Sequence, residues 1–217
     1  MGFRSRWRSQ LGLLLAMRGM IKLLKGSDTI NAIYDIEDGL RYTRSTQLAI
    51  AYVKSFPEVA QIVQERYLSQ PPNLEALQHC PPHSLGHGYA IYLDKTGFDP
   101  NFYRRISVED DTSYVLLRMR QTHDLWHVVT GFGTDGLGEM ELKAFELAQT
   151  RRTVAFVLFG LSVLNGIFKY PEGLGVFFDR ITTAYKLGKH AKPLLAQKWE
   201  ESWEKPLAQW RSELGLE

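Results

Sequence analysis

The chain has 217 residues, of which 44% are hydrophobic and 23% charged, a composition typical of a globular protein and not of a disordered one. Its single cysteine, Cys80, excludes an internal disulfide framework and a zinc site built from several cysteines. The net charge of +2 is uneven, because the first 27 residues carry six basic residues and no acidic one. No basic stripe interleaved with aromatic residues follows, so nucleic acid is not an expected partner.

The first predicted element is a basic amphipathic leader helix over residues 1–26. On a helical projection Arg18, Lys22 and Lys25 fall within an arc of about 60°, and most of the remaining surface of Leu11–Leu24 is apolar. This pattern is compatible with an interfacial helix on an anionic membrane, with a transit peptide, or with a first helix docked on the core. No segment is long enough to span a bilayer, so any membrane attachment is expected to be peripheral.

Helical spacing dominates the remainder of the chain, and alternating strand patterns are scarce. The sequence therefore predicts an all-α fold: one domain over residues 1–217, a helical bundle of roughly seven to nine helices with an apolar cavity. Capping residues, prolines and glycines place the helices at about 28–42, 46–55, 57–68, 73–78, 85–93, 111–129, 139–168, 174–189 and after 193.

Residues 153–168 are apolar on every side of a helix. Such a helix is expected either to lie at the centre of the core or to line a cavity for a long hydrocarbon. Gly160 and Gly166 leave room for close approach of another helix or a ligand, and Phe156 and Phe159 are candidate substrate-binding residues.

The last segment places six large apolar residues within about 120° of a helical projection. We expect this stripe to dock on the core, although three tryptophans on one face also suit a membrane interface or a dimer contact. Pro206 should kink or restart the helix. The stripe consists of Leu195, Trp199, Trp203, Leu207, Trp210 and Leu214.

The residues that indicate chemistry lie between the predicted helices 111–129 and 139–168. His123 and His127 stand four residues apart, so both imidazoles project from one helix face and can bind one metal ion. A glycine-rich break, 131–138, lets the next helix fold back and bring Glu139 to the histidines. Asp124 could be a fourth ligand, an orienter of a histidine, or a base.

This mixed nitrogen and oxygen set suits a divalent metal, foremost Zn²⁺, with Fe²⁺, Mn²⁺ or Mg²⁺ as further candidates. The candidate ligands are His123, Asp124, His127 and Glu139, and Asp124 is the candidate catalytic acid or base. Arg120, on the same predicted helix, is a candidate contact for an anionic head group.

The string HDLWHVVTGFGTDGLGEMELKAFELAQT resembles the Coq four family of coenzyme Q (ubiquinone) biosynthesis proteins. The family motif H-D-x-x-H, eleven residues, then E is filled by His123, Asp124, His127 and Glu139 without a gap. The flanking Arg118-x-Arg120 is also similar, and the strong match covers roughly residues 105–150. The resemblance implies an all-helical fold and a zinc ion on the four motif residues.

The resemblance also implies a reaction, the oxidative removal of the carboxyl at carbon 1 of a polyprenylated hydroxybenzoate. The alternative is a non-catalytic isoprenoid-binding scaffold with a structural metal that organises other quinone-biosynthesis enzymes. Expected partners are a polyprenylated quinone precursor or other isoprenoid lipid, an anionic membrane surface, other quinone-biosynthesis proteins and a second copy in a homodimer. The expected location is cytoplasmic and peripheral to the membrane in a bacterium, or the matrix side of the mitochondrial inner membrane in a eukaryote.

Overall fold

The computed structural model describes residues 3–70 and 72–217, with side chains described from residue 11 onward. The described residues contain no strand, which confirms the all-α class, and they form eleven α-helices rather than seven to nine. Short 3₁₀ turns at Pro171–Gly173, Leu194–Ala196 and Trp199–Glu201 connect some of them. The helices are α1 (Phe3–Leu24), α2 (Thr29–Leu40), α3 (Arg44–Val53), α4 (Pro57–Glu65), α5 (Leu74–Gln78), α6 (Leu85–Thr96), α7 (Asp111–Thr130), α8 (Gly136–Thr150), α9 (Thr153–Lys169), α10 (Leu174–His190) and α11 (Leu207–Leu214).

Local capping explains where several helices begin. The side chain of Asp110 accepts a hydrogen bond from the Ser113 amide at 2.7 Å, and the Ser113 hydroxyl accepts from the Asp110 amide, so the first turn of α7 is closed by a reciprocal cap. Pro57 opens α4, as predicted. Asp28 differs from expectation, because it adopts a left-handed backbone conformation and its side chain caps no amide of α2.

Helix α7 runs through the main core. Trp126, Tyr114 and Leu125 are buried there among residues from α3, α4, α6, α8 and the carboxyl-terminal segment. The predicted terminal helix after residue 193 is replaced by two 3₁₀ turns and α11, which begins after Pro206. Its apolar stripe nevertheless docks on the core as expected, with Trp199 and Trp210 buried and their ring centroids 4.7 Å apart.

The single helix predicted for 139–168 is wrong, since the chain breaks between α8 and α9. Arg151 adopts a left-handed conformation with φ of 54°, and its guanidinium lies 3.7 Å from the ring centroid of Tyr52. The next residue, Arg152, is buried and donates to Glu146 Oε1 at 2.8 Å. These tertiary contacts set the break, because neither glycine nor proline stands there.

Helix α9 is a surface helix, which corrects the expectation of a central core helix. Only Val154, Ala155 and Leu158 are buried in it, whereas Phe156 is 57% exposed. Two cavities stand out among the described residues, of about 30 and 680 Å³, and no residue of α9 lines either of them. The apolar cavity along this helix therefore stays a prediction.

The leader helix α1 packs closely on α2. A Cβ added to Gly39 would lie 2.3 Å from the carbonyl oxygen of Gly12, so the two backbones touch where neither has a side chain. Large apolar residues of α1, including Leu14 and Met17, remain more than half exposed. The side chains of residues 1–10, among them three arginines of the leader, lie outside the described residues. Within the described chain, no helix has both the length and the hydropathy required to cross a bilayer.

Candidate metal centre

The glycine-rich turn between α7 and α8 folds the chain back as the sequence predicted. Gly131 ends α7 in a left-handed conformation and its amide donates to the His127 carbonyl at 2.8 Å. Asp135 then caps α8, accepting from the Gly138 amide at 3.1 Å. A Cβ on Gly138 would lie 2.3 Å from the Gly133 carbonyl oxygen, so only glycine permits this tight return. The turn delivers Glu139 in the first turn of α8.

His123, His127 and Glu139 form a compact cluster. The candidate ligand atoms of the three residues lie within 4.8 Å of one another. Nε2 of His127 is 3.2 Å from Oε1 of Glu139, and Nε2 of His123 is 3.6 Å from Oε2. The His127 side chain is fully buried, whereas those of His123 and Glu139 are about one-third exposed at 31% and 32%. The cluster therefore has a closed inner side and an open outer side.

The surroundings of His127 indicate whether the cluster fits a metal ion. Its Nδ1 lies 3.1 Å from the Phe132 carbonyl oxygen. Because a carbonyl oxygen can only accept a hydrogen bond, Nδ1 carries the proton. In the neutral ring Nε2 then has a free lone pair. Nε2 is buried and forms no hydrogen bond of acceptable geometry. Lone pairs on Nε2 and on Glu139 Oε1 at 3.2 Å repel each other unless a cation lies between them. The donor set therefore fits a divalent metal ion.

The charge state of Glu139 agrees with this fit. Without a metal, burial raises the pKa of the Glu139 carboxyl, but hydrogen bonds from protonated His123 and His127 and the charge of Lys143 outweigh burial and hold the pKa well below its usual range; a bound cation would take the place of those imidazole protons. The carboxylate is thus ionised at neutral pH and can bind a cation. Two imidazoles and one carboxylate with an open side are a set used both by catalytic zinc sites and by non-haem iron oxygenases.

Asp124 lies outside the three-residue cluster, although it was predicted as a fourth ligand. Its Oδ1 accepts a hydrogen bond from the Tyr92 hydroxyl at 3.4 Å, and the Tyr92 ring stacks on His127 with centroids 6.0 Å apart. Burial raises the pKa of Asp124, against the opposing charges of His123 and His127. Its assignment as ligand or as base stays a prediction.

Arg120 has a structural environment that the sequence did not indicate. Its guanidinium is almost fully buried and donates to Glu37 at 2.6 Å, to Asp38 at 2.7 Å and to the Arg104 carbonyl at 2.7 Å. All three nitrogens are engaged, so the residue ties α7 to α2 and to the loop before α7. Its side chain is only 4% exposed, so a head group has little access to it.

The two candidate phenylalanines of α9 differ in position. Phe156 is exposed, whereas the Phe159 ring packs on Phe177 with centroids 5.9 Å apart. Phe159 belongs to an apolar cluster that also contains Met140 and Phe132. This cluster packs against α8 at Met140 and Ala144. Neither residue lines the two cavities described above.

Tyr92 and Lys143 lie beside the cluster but were not among the candidate site residues predicted from the sequence. Lys143, one turn after Glu139, donates to Glu146 Oε2 at 2.9 Å. Burial lowers the pKa of Lys143, but Glu146 and Glu139 outweigh burial and raise it, so the ammonium stays charged beside the cluster. Glu146 also pairs with Arg152, which pairs with Glu37 of α2. Lys143 could have been found from the sequence, because residues three and four apart share a helix face, whereas Tyr92 and Glu37 reach the site from distant parts of the chain.

Residues 50–217 match the family model for the coenzyme Q (ubiquinone) biosynthesis protein Coq4. The chain belongs to the Coq4 family. A crystallised protein of Nostoc punctiforme PCC 73102, itself only provisionally named as a ubiquinone biosynthesis protein, is 34% identical with a TM-score of 0.85. That match covers 94% of this chain and 96% of the Nostoc chain.

Two curated Coq4 relatives are fungal and are named as mitochondrial ubiquinone biosynthesis proteins. The protein of Uncinocarpus reesii is 34% identical over 155 residues, which are 70% of this chain and 54% of that protein. The protein of Aspergillus fumigatus is 35% identical over 155 residues, or 70% of this chain and 53% of that protein. The chain thus spans about half the length of the curated relatives it matches.

Proposed function

We propose that this Coq4-family chain is a metal-dependent enzyme of isoprenoid-quinone maturation that removes the carboxyl at ring carbon 1 of a polyprenylated hydroxybenzoate. One observation supports the proposal most directly: His127 Nε2, which has no hydrogen-bond partner, lies 3.2 Å from Glu139 Oε1, on a cluster whose outer side is exposed to solvent. A purely structural site has no need of an open side, whereas a catalytic metal keeps a position for substrate.

The reaction balances with water and dioxygen as co-reactants. The bond between ring carbon 1 and the carboxyl carbon breaks, carbon dioxide leaves, and a hydroxyl from water takes its place on the ring. The two electrons and two protons released reduce dioxygen to hydrogen peroxide.

The residues of this chain have separate roles in that reaction. His123, His127 and Glu139 would hold the ion, which when bound polarises the carboxylate or phenol oxygen of the substrate. Asp124, with its pKa raised by burial, exchanges a proton with the reacting ring, and Tyr92 fixes its position through the 3.4 Å hydrogen bond.

Turnover by the purified protein tests the proposal. Protein loaded separately with Zn²⁺, Fe²⁺ or Mn²⁺ is incubated in air with a synthetic prenyl-hydroxybenzoate that carries ¹³C in its carboxyl group. We expect ¹³CO₂ and the hydroxylated ring from at least one metal form, and neither product from Glu139→Gln. Metal-replete protein that releases no ¹³CO₂ above the buffer blank with any of the three ions contradicts the catalytic role.

A non-catalytic scaffold is the second candidate, and the exposed apolar side chains of α1 and α9 favour it. In that case the chain presents an isoprenoid precursor to other quinone-biosynthesis proteins, or to a second copy in a homodimer, and the metal only holds α7 against α8. Isoprenoids recovered from organic extracts of the purified protein, together with absent turnover, would support this function.

Peripheral attachment to an anionic membrane completes the proposal. Arg18 on α1 and Lys25, directly after α1, are exposed. Lys22 is the one described base of the leader that pairs, with Asp28 and Asp35 at 3.4 Å. Basic residues near an anionic surface contribute about 1 kcal/mol each. Arg18→Gln together with Lys25→Gln should therefore weaken binding to phosphatidylglycerol vesicles roughly tenfold or more and leave metal content unchanged. Location in a mitochondrion, as the names of the fungal relatives state for them, is part of this proposal.

A further inference from the structure

The junction between α9 and α10 exposes a group of large apolar side chains, called here the apolar tip. Their exposed fractions range from 44% to 79%, with Phe168 the highest. Between Thr153 and Phe178 the only charged residues are Lys169 and Glu172. A Cβ built on Gly160, Gly173 or Gly175 meets nothing within 4 Å, so the junction protrudes. The apolar tip consists of Leu164, Ile167, Phe168, Tyr170, Val176 and Phe178.

The base of the apolar tip packs at the amino-terminal end of α8. Phe177, at the start of α10, belongs to the same apolar cluster as Met140 and Phe132. Met140 adjoins Glu139 in the sequence. The Phe132 carbonyl oxygen accepts a hydrogen bond from Nδ1 of His127 at 3.1 Å. Two contacts from Arg180 of α10 to the Glu141 carboxylate, at 2.8 and 2.5 Å, hold α10 on the first turns of α8. The apolar tip therefore stands at the same end of α8 as the candidate ligand Glu139, which lies in the first turn of that helix.

We infer that the apolar tip inserts into the interfacial layer of a lipid bilayer and thereby brings the metal centre to the membrane surface. The docking itself follows from the exposed side chains; its purpose rests on the proposed function, since a polyprenylated acid resides in the bilayer. From the membrane surface, the aromatic ring of that acid can move along the apolar tip to the metal centre while its prenyl tail stays out of water.

The chemistry of the apolar tip favours a bilayer over a second copy of the chain as its occupant. Protein interfaces surround their apolar centre with a polar rim. Around the apolar tip, the segment from 153 to 178 supplies only two charged residues for such a rim, Lys169 and Glu172. Lys169 and Tyr170 stand next to Phe168, and long basic and tyrosine side chains are residue types that favour the boundary between headgroups and acyl chains. Bulky protruding side chains also suit a fluid surface, which reshapes around them.

Vesicle binding of matched variants tests this inference. The tip variant Ile167→Asn with Phe168→Asn is compared with a control, Leu48→Asn with Phe102→Asn, whose wild-type side chains are similarly exposed on α3 and in the loop before α7. The probe is sedimentation with vesicles of pure phosphatidylcholine and of phosphatidylcholine mixed with phosphatidylglycerol. We expect the tip variant to lose about tenfold in partitioning for each side chain removed, in both lipids, and the control to bind like wild type.

A second measurement locates the tip directly. A tryptophan introduced by Phe168→Trp should be quenched by brominated acyl chains beyond the quenching of the wild-type protein, whereas Phe102→Trp should not. Equal vesicle binding of the tip and control variants, or no added quenching at position 168, overturns the inference. So does a dimeric wild type that the tip variant converts to monomer with vesicle binding unchanged, because a second copy then covers the tip.

Two further measurements distinguish failure of this inference from failure of the proposed function: the metal content, and turnover of a short-chain substrate in detergent. Both should be unchanged in the tip variant. If the wild type fails to turn over while vesicle binding still depends on the tip, the enzyme proposal fails and the docking surface stands.

Discussion

Replacing Gly39 by alanine tests how α1 is held. The new Cβ would lie 2.3 Å from the Gly12 carbonyl oxygen and 2.6 Å from the Ala16 amide nitrogen, both of them backbone atoms of α1 that cannot rotate away. Helix α1 must therefore shift by about 1 Å or detach, because ordinary carbon contacts begin near 3.4 Å. Overpacking of this kind costs about 1–3 kcal/mol, partly offset by the ~0.5–1 kcal/mol that alanine gains over glycine in a helix.

The expected net loss is about 1–2 kcal/mol, or a fall of about 2–8 °C in Tm for a protein of this size. Gly160→Ala on α9 is the matched control, because a Cβ there meets nothing within 4 Å and should raise Tm by a few degrees. Thermal unfolding followed by circular dichroism measures both, and trypsin cleavage after the exposed Arg18 should speed up in Gly39→Ala alone. A Gly39→Ala protein that melts at or above the wild-type temperature with unchanged cleavage refutes the close packing of α1 on α2.

Three further predictions concern the metal centre and the core. His127→Ala should lower the metal content from about one ion per chain to a small fraction, because it removes a buried ligand nitrogen; elemental analysis that finds no metal in wild type purified without chelators contradicts the site. Tyr92→Phe should keep the metal but lower turnover roughly tenfold, since a hydrogen bond to a carboxylate is lost at Asp124; unchanged turnover excludes that role. Glu200→Gln should destabilise the protein by about 3–5 kcal/mol at neutral pH, because Arg118 is buried and donates to the Glu200 carboxylate at 2.6 and 2.9 Å. Burial raises the pKa of Glu200 but Arg118 lowers it further, so this stabilisation is complete above the unfolded-state pKa and is lost as the pH falls through the folded one. Urea unfolding from neutral to acidic pH should show the two proteins converging, and a constant difference would count against the pair.

The sequence by itself predicted the cluster of candidate metal ligands formed by His123, His127 and Glu139, because their placement depends on local geometry. His123 and His127 share a face of any helix that contains both, and the turn from Gly131 to Gly138 is too short to send Glu139 elsewhere. Helix starts at Asp110 and Pro57 were likewise predictable, since caps act over three or four residues.

Only the tertiary structure decided which surfaces meet. The uniformly apolar pattern of α9 indicated burial, yet periodicity cannot say whether neighbours exist to cover each side, and the fold covers one side of this helix only. The break at Arg151 and the engagement of Arg120 depend on Tyr52 and on Glu37, which are about a hundred and about eighty residues away. Such contacts form only after the helices have assembled, so the energies that fix them have no signature in a local stretch of sequence.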